Sequence, residues 1–154
     1  MATSTTTLDA LLFRESGSVT VTRHYLSRDG RVMVIKLACV GDDGNGIVPA
    51  TQMTNALVGI IGSTGGGVDY QTVGYYLTEV WSIGGATLPD AADIAITDEL
   101  ACVLYTEANV IAASTTPKAG TLSAYRLVTS LLTMTVSNQA TGSAVWDVYL
   151  KFVK

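Results

Sequence analysis

The sequence predicts a mainly β protein, either an antiparallel β-sandwich or a jelly-roll-like barrel, with one or two short helices. Apolar and polar residues alternate over several runs of strand length, as in a sheet with one buried face. Clusters of Gly, Asp, Asn and Pro separate these runs, and Ser and Thr make up about one residue in five. We therefore expect an N-terminal arm, residues 1–17, followed by one β-sandwich domain, residues 18–154.

The N-terminal arm (residues 1–17) is Thr-rich and polar except for a short apolar segment, Leu11-Leu12-Phe13. Its composition fits a loose tail, and it also fits an arm that becomes ordered when it docks on a neighbouring subunit. Residues 1–16 are the region that we expect to make contacts between subunits. The N-terminus has neither a basic start nor an apolar core segment, so we expect no secretory signal.

Two strands are predicted over Ser18–Leu26 and Arg31–Val40, joined by a hairpin turn at Asp29-Gly30. A two-residue turn would place Arg23 opposite Lys36, and like charges directly across a strand pair are destabilising. We therefore expect a longer or bulged connection, or an acidic residue from elsewhere between the two cations.

The middle of the chain predicts a turn, a helix, a flexible loop and a strand, in that order. Residues 41–46 form a Gly- and Asp-rich turn, and apolar residues at helical spacing follow over residues 53–61. The glycine loop Gly62–Gly67 then precedes a strand over residues 73–83. Regular alternation in that strand would place Tyr75, Leu77 and Trp81 on one face.

The last third of the chain is also β-rich. A short strand is predicted over Asp93–Thr97, whereas residues 98–113 fit a helix and a buried strand equally well. Residues 132–136 alternate again, and the terminal segment does so most clearly. The terminal segment should bury one face and expose the other. The expected buried residues are Trp146, Val148, Leu150 and Phe152.

Composition excludes three broad classes of protein. The chain is 48% hydrophobic and carries a formal net charge of −4, so it is not intrinsically disordered. Nine Lys and Arg face thirteen Asp and Glu, so no nucleic acid partner is expected. No run approaches the roughly 18–20 apolar residues of a bilayer-spanning helix, so no membrane partner is expected. Only 14% of the residues are charged, which favours subunit contact surfaces because interface cores are depleted of charge.

No group of residues identifies a reaction, so we nominate no catalytic, cofactor-binding or metal-binding residue and expect the protein not to be an enzyme. His24 is the one histidine and comes with no nucleophile motif. Asp42, Asp43 and Asn45 lack the spacing of a calcium loop. The acidic group Asp90, Asp93, Asp98 and Glu99 is expected to be solvated or to cap a helix. Gly62–Gly67 lacks the Lys of a phosphate-binding loop.

The two cysteines and the aromatic residues are predicted to be structural. Cys39 and Cys102 lie among apolar residues without metal-type spacing, so we expect two buried thiols, with a disulfide between them as the alternative. Most of the aromatic residues are expected to lie in the core or in subunit contacts, and a sugar-binding surface is the alternative. The aromatic residues concerned are Tyr70, Tyr75, Tyr76, Trp81, Trp146 and Tyr149.

The order of several segments over residues 18–154 carries a family resemblance. The segments are Val19–Thr22, Val34–Ala38, Ile47–Pro49, Gly74–Leu77, Asp93–Asp98, Gly120–Leu122, Leu132–Asn138 and Val148–Lys154. In this order they resemble a group of small structural proteins of tailed bacteriophages. The resemblance implies a virion component, a capsid cement or decoration protein, and it transfers no catalytic residue.

From this resemblance and the low charge we expect a virion structural protein that binds and stabilises neighbouring capsid subunits. Its expected partners are other virion proteins, the major capsid protein first, and further copies of itself, with a trimer fitting threefold capsid sites. A tail or head–tail junction protein is one alternative. A glycan-binding or receptor-binding β module that uses the aromatic residues is the other.

Overall fold

The structure is a computed structural model that describes residues 17–53 and 72–154. Residues 1–16 of the predicted N-terminal arm, residues 54–61 of the predicted helix and the loop Gly62–Gly67 lie outside these ranges. The described strands are β1 Ser18–Leu26, β2 Val32–Val40, β3 Thr51–Gln52, β4 Tyr76–Gly84, β5 Asp93–Thr97, β6 Val103–Glu107, β7 Lys118–Ala119, β8 Arg126–Leu127, β9 Thr133–Ser137 and β10 Val145–Val153.

The strands form two antiparallel sheets that share one apolar core. Sheet 1 has the order β1-β2-β10-β4, and the short strands β7 and β8 both pair with β4. Sheet 2 has the order β3-β9-β5-β6. The core joins side chains of both sheets, such as Leu150 from β10 and Ile96 from β5. The predicted mainly β, antiparallel β-sandwich is thus confirmed, and the described strands do not close into a barrel.

The β1–β2 hairpin avoids the clash of like charges by a bulge as well as a longer loop. Leu26 faces Met33, but the register shifts by one residue at His24, so that Arg23 faces Ile35 rather than Lys36. Residues 28–31 form the connection, since the backbone N–H of Ser27 donates to the carbonyl of Val32. The predicted longer, bulged connection is therefore confirmed. Lys36 also forms an ion pair with Asp147, which lies on β10 on the opposite side of β2 from Arg23.

Strand β10 lies in the middle of sheet 1, paired with β2 on one side and β4 on the other. The four side chains predicted to be buried, Trp146, Val148, Leu150 and Phe152, are each at most 1% exposed. Alternate residues of β10 therefore point into the core, as the sequence predicts, and the others form the outer face of sheet 1.

Strand β4 departs from the predicted alternation because it contains a bulge. Its pairing with β10 shifts between Glu79 and Leu77, which leaves Thr78 as the extra residue. A bulge reverses the faces of the residues that follow it. Leu77 is buried in the core, whereas Trp81 lies half-buried on the outer face next to Tyr149. The prediction that Leu77 and Trp81 share one face is therefore wrong.

The ambiguous stretch over residues 98–113 contains a strand and no helix. Strand β6 spans Val103–Glu107 and pairs with β5. Asp98 holds the turn before it, since its carboxylate accepts the backbone N–H groups of Leu100 (2.9 Å) and Cys102 (2.8 Å). Ala101 has φ +59°, a left-handed turn conformation that interrupts a helix. No helix in the described residues is long and apolar enough to cross a membrane.

The two sheets are also joined through a buried polar side chain. Ser82 on β4 is fully buried. Its hydroxyl donates to the carbonyl of Val110 (2.7 Å) and accepts the N–H of Ala112 (2.7 Å). These two residues follow β6 of sheet 2, so one hydroxyl satisfies two buried backbone groups and ties that connection to sheet 1.

Candidate functional site

Three members of the predicted acidic group, Asp90, Asp93 and Asp98, hold loops together. Asp90 accepts the hydroxyl of Thr141 (2.9 Å) and a backbone N–H (3.0 Å). Asp93 accepts a backbone N–H at 2.8 Å and the side-chain amide of Asn138. Asp98 caps the turn before β6. Each carboxylate thus serves a different loop, which is a structural role for all three.

The Gly- and Asp-rich turn at residues 41–46 is an ordinary turn. One carboxylate oxygen of Asp42 accepts the N–H groups of Gly44 (2.8 Å) and Asn45 (3.2 Å). The amide oxygen of Asn45 accepts the N–H of Ile47 (3.1 Å). The described part of the chain contains no group of three or more His, Cys, Asp or Glu placed to hold a metal ion.

The two cysteines differ in their environment. Cys39 is fully buried beside Trp146 in the cross-strand register, and its burial raises the pKa of the thiol. Cys102 is exposed in the turn before β6, so the prediction of two buried thiols is wrong for this residue. The apolar neighbours of Cys102 in sequence do not cover it, because Leu100 and Val103 are themselves exposed. Both thiols are free.

The predicted aromatic set divides between the core and the outer face of sheet 1. Trp146 and Tyr75 are buried, Tyr76 is exposed, and Tyr70 lies outside the described residues. Trp81 and Tyr149 lie half-buried on the outer face. Alternation in the terminal segment places Tyr149 on the outer face, as observed. It does not place Trp81 there, because the bulge in β4 decides the face of Trp81.

The outer aromatic pair stacks ring on ring. The ring centroids of Trp81 and Tyr149 are 5.2 Å apart and their planes differ by 5°. The exposed His24, expected to be structural, meets Tyr149 edge-on with centroids 5.3 Å apart. Trp81 and Tyr149 are therefore stacked in parallel, a geometry that is favourable for aromatic pairs.

Two ion pairs flank the aromatic row that His24, Tyr149 and Trp81 form. Lys36 and Asp147 approach to 2.9 Å, and Lys151 and Glu79 to 2.6 Å. Hydrogen bonding to Asp147 raises the pKa of the Lys36 ammonium. Both pairs join neighbouring strands, β2 with β10 and β10 with β4, so the outer face is polar there but carries little net charge.

Beyond Trp81, at the edge of β4, the outer face contains two adjoining hollows of about 380 and 460 Å³. Both are lined by Thr78, Glu79 and Tyr125, and we refer to the two together as the groove. The first hollow adds Trp81, Pro117, Ala119 and Leu122, and the second adds Tyr76, Lys151, Val153 and Lys154. The groove is therefore apolar and aromatic at its centre, with charged residues on one side.

The groove arises because β7 and β8 cover only the two ends of the β4 edge. Strand β7 pairs with Trp81 and Ser82, and β8 pairs with Tyr76 and Leu77. Residues 120–125 connect β7 to β8 and carry Tyr125, which is 68% exposed. Sequence reasoning missed Tyr125, because no strand pattern singles it out and its position depends on how this connection folds.

A hydrogen-bonded cluster holds this connection against sheet 2. The hydroxyl of Tyr105 on β6 donates to the carboxylate of Glu107 (2.6 Å), which also accepts the N–H of Thr121 (2.5 Å). Burial and the neighbouring Glu107 raise the pKa of the Tyr105 hydroxyl. Gly120 donates its N–H to the carbonyl of Val80 on β4 (2.8 Å). The loop that bears Tyr125 is thereby bonded to both sheets.

Comparisons with known proteins find nothing similar to this chain. No protein-family model, no curated protein and no solved structure matches it.

Proposed function

We propose that the chain is a virion structural protein, a capsid cement or decoration protein that binds and stabilises neighbouring capsid subunits. Its partners in this proposal are the major capsid protein and further copies of the chain. The proposal rests on the resemblance of residues 18–154 to small structural proteins of tailed bacteriophages, together with the surface described above.

The observation that carries the proposal is the amount of apolar side chain exposed at loops and sheet edges. Leu100 is 82% exposed and Tyr125 is 68% exposed. Further exposed apolar side chains are Tyr25, Leu26, Ile47, Tyr76, Leu88, Val103, Leu127 and Val145. Contiguous exposed apolar surface is typical of protein–protein contact sites. Tyr76 and Leu127 contribute such surface, since they face each other across the β4–β8 pair, and Tyr125 lines the groove together with Tyr76.

The charge distribution supports the same function. Lys36 and Lys151 are paired with carboxylates of adjacent strands, and Asp90, Asp93 and Asp98 each bond a loop. Few charged groups would therefore need new partners when the surface is buried in an assembly, which lowers the cost of desolvation. The expectation that the protein is not an enzyme stays a prediction.

Quantitative mass spectrometry of purified virions from the virus that encodes the chain tests the proposal. We expect hundreds of copies per particle, released when the capsid is disrupted. A dozen copies or fewer would assign the chain to the tail or head–tail junction instead. Absence of the chain from intact particles contradicts a virion role altogether.

A binding assay provides the second test. Purified chain, mixed with capsids that lack it, should co-sediment with them and raise their resistance to heat or to chelation of divalent cations. Capsids pre-filled with the wild-type chain serve as the control, since their sites are occupied. Failure of the chain to bind empty sites on such capsids contradicts the cement function.

A further inference from the structure

We propose that residues 120–125 form an acid-sensitive strap, which the ionised carboxylate of Glu107 holds against sheet 2 and which protonation of Glu107 releases. The strap connects β7 to β8 and supplies Leu122 and Tyr125 to the lining of the groove. The shape of the groove therefore depends on whether the strap is held. This device does not depend on a virion role, because every bond that it uses lies within one copy of the chain.

The strap lies between two hollows. On one side, the strap and β4 border the first hollow of the groove, which has a volume of about 380 Å³. On the other side, the strap and residues 103–106 of β6 border a further hollow of about 270 Å³. Leu122 lines both hollows. The strap thus has free volume on both sides, and it can move without displacing a residue of the core.

Few contacts hold the middle of the strap. Residues 121 and 123–125 are exposed, whereas Leu122 is half-buried and packs against the edge of the core. Residues 122–125 form no hydrogen bond with the described part of the chain. Segments with few buried apolar contacts open locally at a small cost in free energy. The middle of the strap is therefore retained by its two ends and by Leu122.

Glu107 bonds the first end of the strap to sheet 2. Its Oε2 atom accepts the N–H of Thr121 (2.5 Å) and the hydroxyl of Tyr105 (2.6 Å). The neighbouring Gly120 donates its N–H to the carbonyl of Val80 in sheet 1 (2.8 Å). A hydrogen bond to an ionised carboxylate is roughly twice as strong as one between neutral groups. The charge of Glu107 therefore contributes much of the attachment of the strap to sheet 2.

Protonation of Glu107 weakens both of its hydrogen bonds together, because both end on the same oxygen atom. Uptake of a proton by the carboxylate removes the negative charge that strengthens these bonds. A proton on Oε2 also turns that oxygen into a donor, which then faces two other donors, the hydroxyl of Tyr105 and the N–H of Thr121. The strap is then held to sheet 2 by the packing of Leu122 alone.

No cation of the described residues forms an ion pair with Glu107, so none keeps its carboxylate charged in acid. The group bonded to it on β6 is the hydroxyl of Tyr105, which carries no charge in acid. Arg126 on β8 lines the hollow beside β6 without pairing with Glu107. Lys118 on β7 donates to a backbone carbonyl, and Asp93 on β5 accepts two donors of other loops.

Amide hydrogen exchange of the full-length wild-type protein, measured by NMR, tests the proposal. The measurement runs from neutral pH through the acid range in which glutamate carboxyl groups take up a proton, with correction for the intrinsic pH dependence of exchange. We expect the protection of the Thr121 amide to fall about tenfold, the difference between a charged and a neutral hydrogen bond. The amide of Leu150 in the centre of sheet 1 should stay protected. Unchanged protection of Thr121, or its loss only together with that of Leu150, would overturn the proposal.

Two variants separate the carboxylate of Glu107 from other effects of acid. Glu107→Gln removes the charge at neutral pH, so the Thr121 amide should already exchange about tenfold faster there and change little on acidification. Glu79→Gln is the matched control, because Glu79 lines the groove but pairs with Lys151 rather than with the strap. It should leave the protection of Thr121 as in the wild type. Wild-type protection in Glu107→Gln, or the same loss in both variants, contradicts the role of Glu107.

The titration of amide chemical shifts distinguishes release of the strap from loss of a single bond. If the strap moves as a unit, the amide signals of Ser123, Ala124 and Tyr125 should shift with the same midpoint as that of Thr121. All of these shifts should be absent from Glu107→Gln. A pH-dependent shift that is confined to Thr121 would show that one bond weakens while the strap stays in place, and it would refute the release.

Discussion

Replacement of Gly120 by alanine should destabilise the protein strongly, because no space exists for a Cβ atom at this position. A Cβ built on Gly120 lies 1.9 Å from the hydroxyl oxygen of Tyr105 and 2.9 Å from a carboxylate oxygen of Glu107. Tyr105 is 4% exposed and therefore cannot swing into solvent without opening the edge of the core. The new methyl group must displace the hydroxyl from Glu107.

The expected cost follows from the bonds that are lost. A hydrogen bond to a charged group contributes about 1.5–3 kcal/mol, and an extra methyl group in a packed site costs about 1–3 kcal/mol. We expect Gly120→Ala to lower the free energy of unfolding by about 3 kcal/mol, as measured by urea denaturation. A typical domain has only about 5–15 kcal/mol in total, so the shift in midpoint should be large.

Tyr105→Phe supplies the control, because it removes the hydroxyl that the methyl group would strike. The single Tyr105→Phe change should cost about 1.5–3 kcal/mol through the lost bond to Glu107. In that background Gly120→Ala should cost less than it does in the wild type, with a coupling of about 1–2 kcal/mol. Additive costs, or a Gly120→Ala variant as stable as the wild type, would refute the steric argument.

Three further predictions concern other parts of the sandwich. Ser82→Ala should lower the free energy of unfolding by about 2–4 kcal/mol, since it leaves two buried backbone groups without a partner; a loss below about 0.5 kcal/mol in urea denaturation would show that the hydroxyl is dispensable. Lys36→Met should cost about 0.5 kcal/mol at neutral pH, since the ion pair with Asp147 is partly exposed. The pKa of Lys36 is raised above its ordinary 10.5, so the ion pair stabilises the fold below pH 10.5. This stabilisation disappears as the pH rises through the folded-state pKa of Lys36. A stability difference between Lys36→Met and the wild type that persists above the folded-state pKa counts against a contribution of the ion pair. In thiol titration of the native protein Cys102 should react at once and Cys39 only on unfolding, and rapid reaction of a Cys102→Ser variant would contradict the burial of Cys39.

Three of the acidic residues have the same local role in turns. Asp29 resembles Asp42 and Asp98 in accepting the backbone N–H two residues ahead, which stabilises a tight turn. Its hydrogen bonds with Ser27 and with the backbone of Arg31 lower the pKa of the Asp29 carboxyl. Asp29, Asp42 and Asp98 therefore each lie in a turn, where the carboxylate satisfies backbone donors that no strand bonds.

Two bulges shape the surface on which the proposed function depends. The bulge at His24 moves Arg23 away from Lys36, and the bulge at Thr78 turns Trp81 outward to stack on Tyr149. Each inserts a single residue, and each changes the face of every residue that follows in its strand. The bulge at Thr78 thus places Trp81 on the outer face, where it stacks on Tyr149 and forms a wall of the groove.

The sequence alone predicts the fold class because the signals for it are local. Alternation in β10 predicts which of its side chains are buried, and the turn at Asp29-Gly30 predicts the hairpin between β1 and β2. Like charges at Arg23 and Lys36 even indicate that this hairpin is irregular. In each case the determining residues lie within a few positions of one another, so the pattern can be read without knowledge of the rest of the chain.

The tertiary structure alone decides which distant segments meet, because loops that are far apart in sequence carry no shared pattern. The bulge at Thr78 appears only when β4 is paired with β10, and it determines the face of Trp81. Tyr125 lines the groove because residues 120–125 are bonded to Val80 on one side and to Glu107 on the other. The exposure of Cys102 likewise depends on its turn, in which the neighbouring apolar residues Leu100 and Val103 are themselves exposed. Periodicity predicts that a residue faces a core, but only long-range pairing determines which surface the remaining residues form.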